Sequence, residues 1–196
     1  MTRYVALDLD DPIALMLATS SAFARAGIEA AAYGGLTLGM YGEVRETRDA
    51  DMAAAGIDAE IARSALDEIG VLVVTAFVDI QFGGCTLTRL SLVGGGQLNT
   101  VDLVTPRSPR YATAMLARSV CGSLRGQELR VVSPEDFVIL KTLATRDRDL
   151  EDARSVLEKQ RGRIDEALIE HELGLLSAEI TDHDILVRFA RLTKQG

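Results

Sequence analysis

The sequence predicts an α+β fold: a small mixed or antiparallel sheet with helices on one face, followed by a helical C-terminal part. Three observations support this class. An amphipathic stretch opens the chain, β-branched segments separated by glycines begin at Gly70, and helical spacing returns after Pro106. At 196 residues the chain is long enough for one domain, or for one domain with an appendage.

The first third of the chain predicts alternating helices and short strands. Asp11–Gly27 has an apolar face and a favourable start at Asp11-Pro12. "IEAAAYGG" indicates a strand or helix end that stops at Gly34-Gly35. The elements predicted next are one or two helical turns at Leu36–Tyr41, a short strand in "RDADMAAA" and a helix at Asp58–Ile69.

The middle of the chain predicts antiparallel strands, and the remainder predicts helices. "VLVVTAFVDIQF", "TLTRLSLV" and "LNTVDLV" are joined by glycine-rich turns. We place the boundary between two parts, residues 1–105 and 106–196, where strands give way to helices. The helices predicted after it are Tyr111–Val120, one capped by Ser133 and Pro134, Leu150–Gln160, Arg163–Leu173, and a last one capped by Thr181.

Composition excludes several classes of protein. No run of 18 apolar residues is present, so we expect no membrane span. The N-terminal residues lack the basic-then-apolar order of a signal peptide, and Cys85 and Cys121 do not form a metal-type pair. We therefore expect a cytoplasmic protein with reduced thiols. The net charge of −8 argues against broad binding of duplex DNA.

Two aspartates separated by one residue are the strongest chemical signal. On a strand, Asp49 and Asp51 would point to the same face, where two carboxylates repel each other unless a cation lies between them. Mg²⁺ (or Mn²⁺) suits such oxygen ligands, and a nucleoside triphosphate (NTP) would supply further oxygens. Asp102, between two apolar residues of a later strand, is the candidate for a third metal-binding and catalytic carboxylate.

The residues before this pair suit a polyphosphate. Gly34 and Gly35 allow close approach of the backbone, whose N–H groups can donate to phosphate oxygens. Arg45, Thr47 and Arg48 follow within reach of the same phosphates. We therefore predict that these five residues bind the nucleotide.

These motifs resemble the nucleotidyltransferase superfamily with the polymerase-β-like core, and within it the AbiEii/MenT-type toxins. That pattern has a helix, Gly-Gly or Gly-Ser, about ten residues, Asp-x-Asp, and a third Asp on a later strand. A second stretch, "SPEDFVILKTLATRDRDLEDARSVL", is similar to the helical signature of the family. The resemblance extends from about Ile13 to Leu157.

The resemblance implies that residues 1–105 form the nucleotidyltransferase core. It implies transfer of a nucleotidyl group from an NTP to a hydroxyl of RNA or protein, with Lys141 near the nucleotide. It also implies a toxin with a cognate antitoxin as partner. From the residues alone, Asp149 and Asp152 favour a structural network with Arg146 and Arg148 over direct catalysis.

Two departures keep other functions open. Gly35 replaces the serine of many family members, and Met-Ala-Ala-Ala follows Asp51 where large β-branched residues are usual. A catalytically inert member that binds nucleotide or a partner protein would fit these departures. A small-molecule enzyme of the antibiotic-modifying type would fit the acidity of the chain, and a purely structural domain would leave the three aspartates unexplained.

A second basic region lies between Pro106 and Arg130, with five arginines and one acid, Glu128. Because it begins four residues after Asp102, we predict that Arg107 and Arg110 bind the acceptor. The alternative is that these arginines form surface ion pairs with acids of the helices in Leu150–Asp165.

Overall fold

The computed structural model describes residues 7–193, which form one seven-stranded mixed sheet with eight helices. The strand order is β3-β4-β5-β2-β1-β7-β6. The strands are β1 (Ala30–Tyr33), β2 (Ala50–Ala54), β3 (Leu72–Phe82), β4 (Cys85–Gly94), β5 (Gln97–Pro106), β6 (Val120–Leu124) and β7 (Gln127–Val131).

Helix starts follow the capping residues in the sequence. Asp11 accepts hydrogen bonds from the backbone of Ile13 and Ala14, and Ser133 accepts one from Asp136. The helices are α1 (Pro12–Arg25), α2 (Gly35–Tyr41), α3 (Ala59–Asp67), α4 (Pro109–Arg118), α5 (Pro134–Leu143), α6 (Asp147–Lys159), α7 (Glu166–Glu179) and α8 (Ile185–Thr193).

The centre of the sheet brings distant segments into register. β2 pairs in parallel with β5, which places Asp51 beside Asp102. β4 pairs antiparallel with β5, which places Arg89 on the other side of Asp102. β1 pairs antiparallel with β2 and puts Tyr33 opposite Asp51. Four charged or aromatic side chains therefore meet in the middle of the sheet.

The predicted α+β class is confirmed, but helices pack on both faces of the sheet rather than on one. Neighbouring residues of β1 alternate between two cores: Ala31 belongs to the core with α4–α8, and Ala32 to the core with α1 and α3. Since successive side chains of a strand point to opposite faces, the apolar strand β1 is buried on both sides. The uniform "AAA" run of β1 is the signal for this arrangement.

One hairpin was not predicted. β6 and β7 lie in the part predicted as mainly helical, and β7 extends the sheet by pairing in parallel with β1. The outward side chains of β7 are polar, and only Leu129 and Val131 of that strand are buried, which leaves a short and weak alternation. Arg125 and Gly126, both with positive φ, form the turn. One sheet thus includes strands from both predicted parts of the chain.

Two further differences concern the ends of the chain. Thr181 is not the cap of the last helix, because α8 begins at Ile185, directly after Asp184. Residues 1–6, which entered the signal-peptide argument, and residues 194–196 lie outside the described part. Within residues 7–193, none of the helices combines the length and the apolar character needed to cross a bilayer.

Candidate functional site

A cavity of about 550 Å³ lies over the centre of the sheet, on the face that carries α5 and α6. The loop between α2 and β2 forms one side of it, and the start of α6 forms the other. Its lining includes most of the predicted site residues: Arg45, Thr47, Arg48, Asp49, Asp51, Asp102 and Lys141.

The three predicted carboxylates converge on this cavity. Asp51 and Asp102 are neighbours across two paired strands, and Asp49 lies two residues before Asp51. Burial raises the pKa of Asp51 to about 7, and the charges of Asp102 and Asp49 contribute to this rise. Asp51 has no hydrogen bond or ion pair to any side chain within residues 7–193. An added cation would therefore stabilise this cluster.

Gly34 is in direct contact with this cluster. Its φ is 78°, and a Cβ atom there would lie 1.8 Å from Oδ2 of Asp51. No other residue could occupy this position without displacing the Asp51 carboxylate. The predicted close approach of backbone at Gly34 is therefore present, although its neighbour is the carboxylate itself.

Gly35 is covered by a hydroxyl-bearing side chain from the loop. A Cβ atom at Gly35 would lie 2.8 Å from Cβ and 3.0 Å from Oγ1 of Thr47. The space that a serine side chain would need at position 35 is thus filled by Thr47. The structure therefore offers a hydroxyl beside Gly35 in place of the serine of the family pattern.

Arg89 holds the third carboxylate. Its Nε donates to Oδ1 of Asp102 and its Nη2 donates to Oδ2, both at 2.7 Å. Nη2 also lies 3.9 Å from Oδ2 of Asp49. The guanidinium therefore lies between two of the three carboxylates of the site.

Lys141 is a buried residue with two carboxylate partners. Its Nζ lies 3.0 Å from Oδ1 of Asp149 and 2.9 Å from Oδ2 of Asp152. Asp152 also accepts two hydrogen bonds from Arg45, which fixes the α2–β2 loop to α6. Lys141 and Arg45 line the cavity, but their charges are already neutralised by partners.

Three more arginines lie at the rim. Arg146 donates to Asp149 and lies over the ring of Phe82. Arg48 and Arg148 are exposed and have no hydrogen bond or ion pair within the described part of the chain. The predicted network of Asp149 and Asp152 exists, but it uses Lys141 and Arg45 rather than Arg148.

The structure does not bring the predicted acceptor residues into the cavity. Arg107 pairs with Asp182, and Arg110 pairs with Glu172 and Glu179. The reason is that α7 and the loop after it pack over the start of α4 and present their acids there. The alternative of ion pairs therefore describes these two arginines, although their partners lie beyond residue 165, on α7 and in the loop after it.

Arg89 is the main site residue that sequence reasoning missed. It lies in "TLTRLSLV", a strand in which it is the one charged residue, just as Asp102 is the one charged residue of "LNTVDLV". Isolated opposite charges on consecutive antiparallel strands were the available signal, because such residues can pair across the hairpin.

The donor set fits a divalent cation. Asp49 and Asp51 supply carboxylate oxygens, which Mg²⁺ and Mn²⁺ prefer. Burial, and then the charges of Asp102 and Asp49, raise the pKa of Asp51, and a bound cation would offset both effects. Within residues 7–193, no three acidic, histidine or cysteine side chains are already grouped as a metal cluster.

Comparisons with known proteins agree on one fold. A crystal structure of an antigenic nucleotidyltransferase-like protein from Paracoccidioides brasiliensis matches with a TM-score of 0.52 and 18% identity, covering 88% of this chain and 90% of that one. A candidate nucleotidyltransferase from H. pylori matches with a TM-score of 0.50 and 14% identity, covering 93% and 81%. Residues 99–187 match the family described as "nucleotidyl transferase of unknown function" (DUF2204). These findings support the nucleotidyltransferase superfamily for this chain.

The predicted superfamily and enzyme class are thereby confirmed. No curated protein matches the chain. The matched segment includes Asp102 and Lys141 but begins after Asp49 and Asp51. The Asp-x-Asp pair is therefore placed beside Asp102 by strand pairing and lies outside the segment that the family match covers.

Proposed function

We propose that this nucleotidyltransferase transfers a nucleotidyl group from an NTP to a hydroxyl of a macromolecule, in the cavity over β2 and β5. The observation that carries the proposal is the convergence of Asp49, Asp51 and Asp102 beside Gly34, with two arginines at the rim that have no partner within residues 7–193.

The proposed reaction is an in-line displacement at the α-phosphorus. The acceptor oxygen forms a bond to this phosphorus while the bond to the α,β-bridging oxygen breaks, and pyrophosphate leaves. Asp102 accepts the hydrogen bond of the attacking hydroxyl and takes its proton, and the proton then passes to water. Arg48 and Arg148 neutralise the charge that develops on the leaving pyrophosphate.

Asp49 and Asp51 would hold the divalent cation, Mg²⁺ or Mn²⁺. Such an ion polarises phosphoryl oxygens and offsets negative charge between the carboxylates and the triphosphate. Thr47 offers a hydroxyl to the phosphates from its position over Gly35. Lys141 and Arg45 act through the acids of α6, by holding the loop that carries Arg48 and Asp49.

The acceptor and the biological role come from the sequence resemblance. It supports RNA or protein as the acceptor and a toxin with a cognate antitoxin, in the cytoplasm. The cationic rim favours these acceptors over a polycationic antibiotic, because Arg48 and Arg148 would repel such a substrate.

The test uses each of the four NTPs labelled with ³²P at the α-phosphate, with Mg²⁺ and total cell extract. We expect the label to appear in one class of macromolecule, and either ribonuclease or protease should remove it. The pyrophosphate that is released should carry no label. Label in neither class, with a folded protein that binds NTP, would contradict the transfer activity.

A second candidate is an inert member that binds nucleotide without transferring it. The observation that favours it is the Arg89–Asp102 pair, which occupies both oxygens of the proposed proton acceptor. NTP binding without any labelled product, in extracts from several sources, would support this candidate.

A further inference from the structure

We infer that Arg89 is a built-in cation of the active site, and that the site takes one divalent metal ion per bound nucleotide rather than two. Asp49 and Asp51 hold that ion, and the guanidinium of Arg89 serves Asp102 where a second ion would otherwise be needed. This inference rests on the proposed function and concerns the same cavity.

The pairing of Arg89 with Asp102 uses the whole carboxylate. Both oxygens of Asp102 receive an N–H at 2.7 Å, which is the strong, bidentate form of this interaction. Asp102 is 5% exposed, so loss of the guanidinium would leave a buried charge without its partner. A metal ion at Asp102 would have to share or displace these bonds.

The fold fixes Arg89 in this position. Register between β4 and β5 places the two residues opposite each other, in the middle of ten paired positions. The guanidinium carbon lies 5.7 Å from the ring centre of Phe77, and Nη2 is 3.9 Å from Asp49. The positive charge is thus held by a ring and two carboxylates, and a divalent ion beside Asp102 would be repelled by it.

Asp51 has the opposite environment. It has no cation in hydrogen-bond contact within residues 7–193, while its neighbours Asp49 and Asp102 are both negative. Its side chain faces the cavity and lies against the backbone of Gly34. The carboxylate cluster therefore has one open position for a cation, at Asp51 and the adjacent Asp49.

Arg89 also gives Asp102 a defined role. Because the guanidinium holds the carboxylate in one orientation, its remaining lone pairs are available to the acceptor hydroxyl. Arg89 is in this sense a positioning residue that acts through Asp102. An asparagine at position 102 would remove the proton acceptor without removing a metal ligand.

The experiment counts bound Mn²⁺ by electron paramagnetic resonance, at saturating α,β-methylene analogue of the NTP that binds best. We expect one Mn²⁺ per chain for the parent and two for Arg89→Met, which frees Asp102. Arg63→Met, which removes a partly exposed arginine paired with Glu60 and Asp67 on α3, is the matched control and should keep one.

Two Mn²⁺ in the parent would overturn the inference, as would one in folded Arg89→Met. If Arg89→Met does not fold, Asp102→Asn decides. We expect it to change the affinity for Mn²⁺ less than twofold, while Asp51→Asn weakens it more than tenfold; a tenfold loss in Asp102→Asn would overturn the inference. No bound Mn²⁺ with any nucleotide would overturn the proposed function as well.

Discussion

The segment from Pro106 to Arg130 and the wall of the cavity are both rich in arginine, but their arginines have different surroundings. Each arginine of the segment has a partner. Arg107 pairs with Asp182, Arg110 with Glu172 and Glu179, Arg118 with Asp136 and Glu172, Arg125 with Asp11, and Arg130 with the hydroxyl of Ser119 and the carbonyl of Leu116.

The cavity has charges without partners. Arg48 and Arg148 lie at its rim with no acid in contact, and Asp51 lies at its base with no cation in contact, within the part of the chain that the structure describes. The paired charges of the segment connect elements of the fold to one another. Charges left unsatisfied mark the place where a ligand completes the structure.

The largest effect is expected at the base of the cavity. Asp51→Asn should lower nucleotidyl transfer by about 100-fold or more, because the variant loses one of the two carboxylates that hold the divalent cation, the one in no contact with Arg89. Initial rates with the labelled NTP and the identified acceptor measure this. A variant with more than a tenth of the parental rate would show that Asp51 is not essential.

The pH dependence of stability provides a control for the folding of Asp51→Asn. Because the pKa of Asp51 is raised to about 7 from 3.8, the folded protein binds this proton more tightly than the unfolded chain. This contribution to stability is therefore lost as pH rises from about 4 to about 7. Asp51→Asn has no carboxyl group to ionise at this position, so it does not lose stability in this way as pH rises. Its melting temperature at pH 8 should therefore equal or exceed that of the parent.

The next largest effect is expected among the satisfied arginines. Arg118→Met should destabilise the fold by roughly 3 kcal/mol, because it removes the cation from fully buried Asp136. Urea unfolding measures this, with Arg125→Met as control: Arg125 is half-exposed, and its ion pair should be worth about 1 kcal/mol or less. Equal losses in both variants would remove the distinction between buried and surface pairs.

A smaller effect on binding is expected at the rim. Arg48→Met and Arg148→Met should each weaken NTP affinity about tenfold, the loss of one charge-assisted hydrogen bond to phosphate. Their unfolding free energies should change by less than about 0.5 kcal/mol, since neither side chain has a partner among the residues that the structure describes. Unchanged affinity in both variants would place the triphosphate elsewhere.

The smallest effect is expected for Arg107→Ala combined with Arg110→Ala. Both arginines are already paired and lie outside the cavity lining, so the salt dependence of acceptor binding should stay as in the parent. If the acceptor is RNA and the double variant flattens the salt slope, these arginines contact it after all. In that case the separation between the two regions would fail.

Local signals in the sequence were sufficient for most elements. Asp11-Pro12 and Ser133-Pro134 each specify a helix start, and glycine turns separate the strands of the β3–β5 meander. The β6–β7 hairpin could not be predicted in the same way, because only Leu129 and Val131 of β7 are buried. Its pairing with β1 depends on tertiary structure.

The candidate site could likewise be predicted only in part from the sequence. The Asp-x-Asp spacing predicted that Asp49 and Asp51 belong to one site. The isolated charge of Asp102 on a later strand predicted it as the third carboxylate. Spacing could not show which cations are neutralised, because the partners of Arg45, Lys141 and Arg110 lie 107, 8 and 62 residues away. Only packing of the C-terminal helices against the sheet assigns those partners.

The central claim is that the unsatisfied charges of the cavity form the site for a metal–NTP complex. Isothermal titration of the parent with each NTP, in Mg²⁺ and then in excess chelator, tests it most directly. We expect one NTP to bind in Mg²⁺, with a stabilisation of about 2.7 kcal/mol at 100 times its dissociation constant, and binding to be lost in chelator and in Asp51→Asn. Equal binding with and without the divalent ion, or binding that persists unchanged in Asp51→Asn, would contradict the claim.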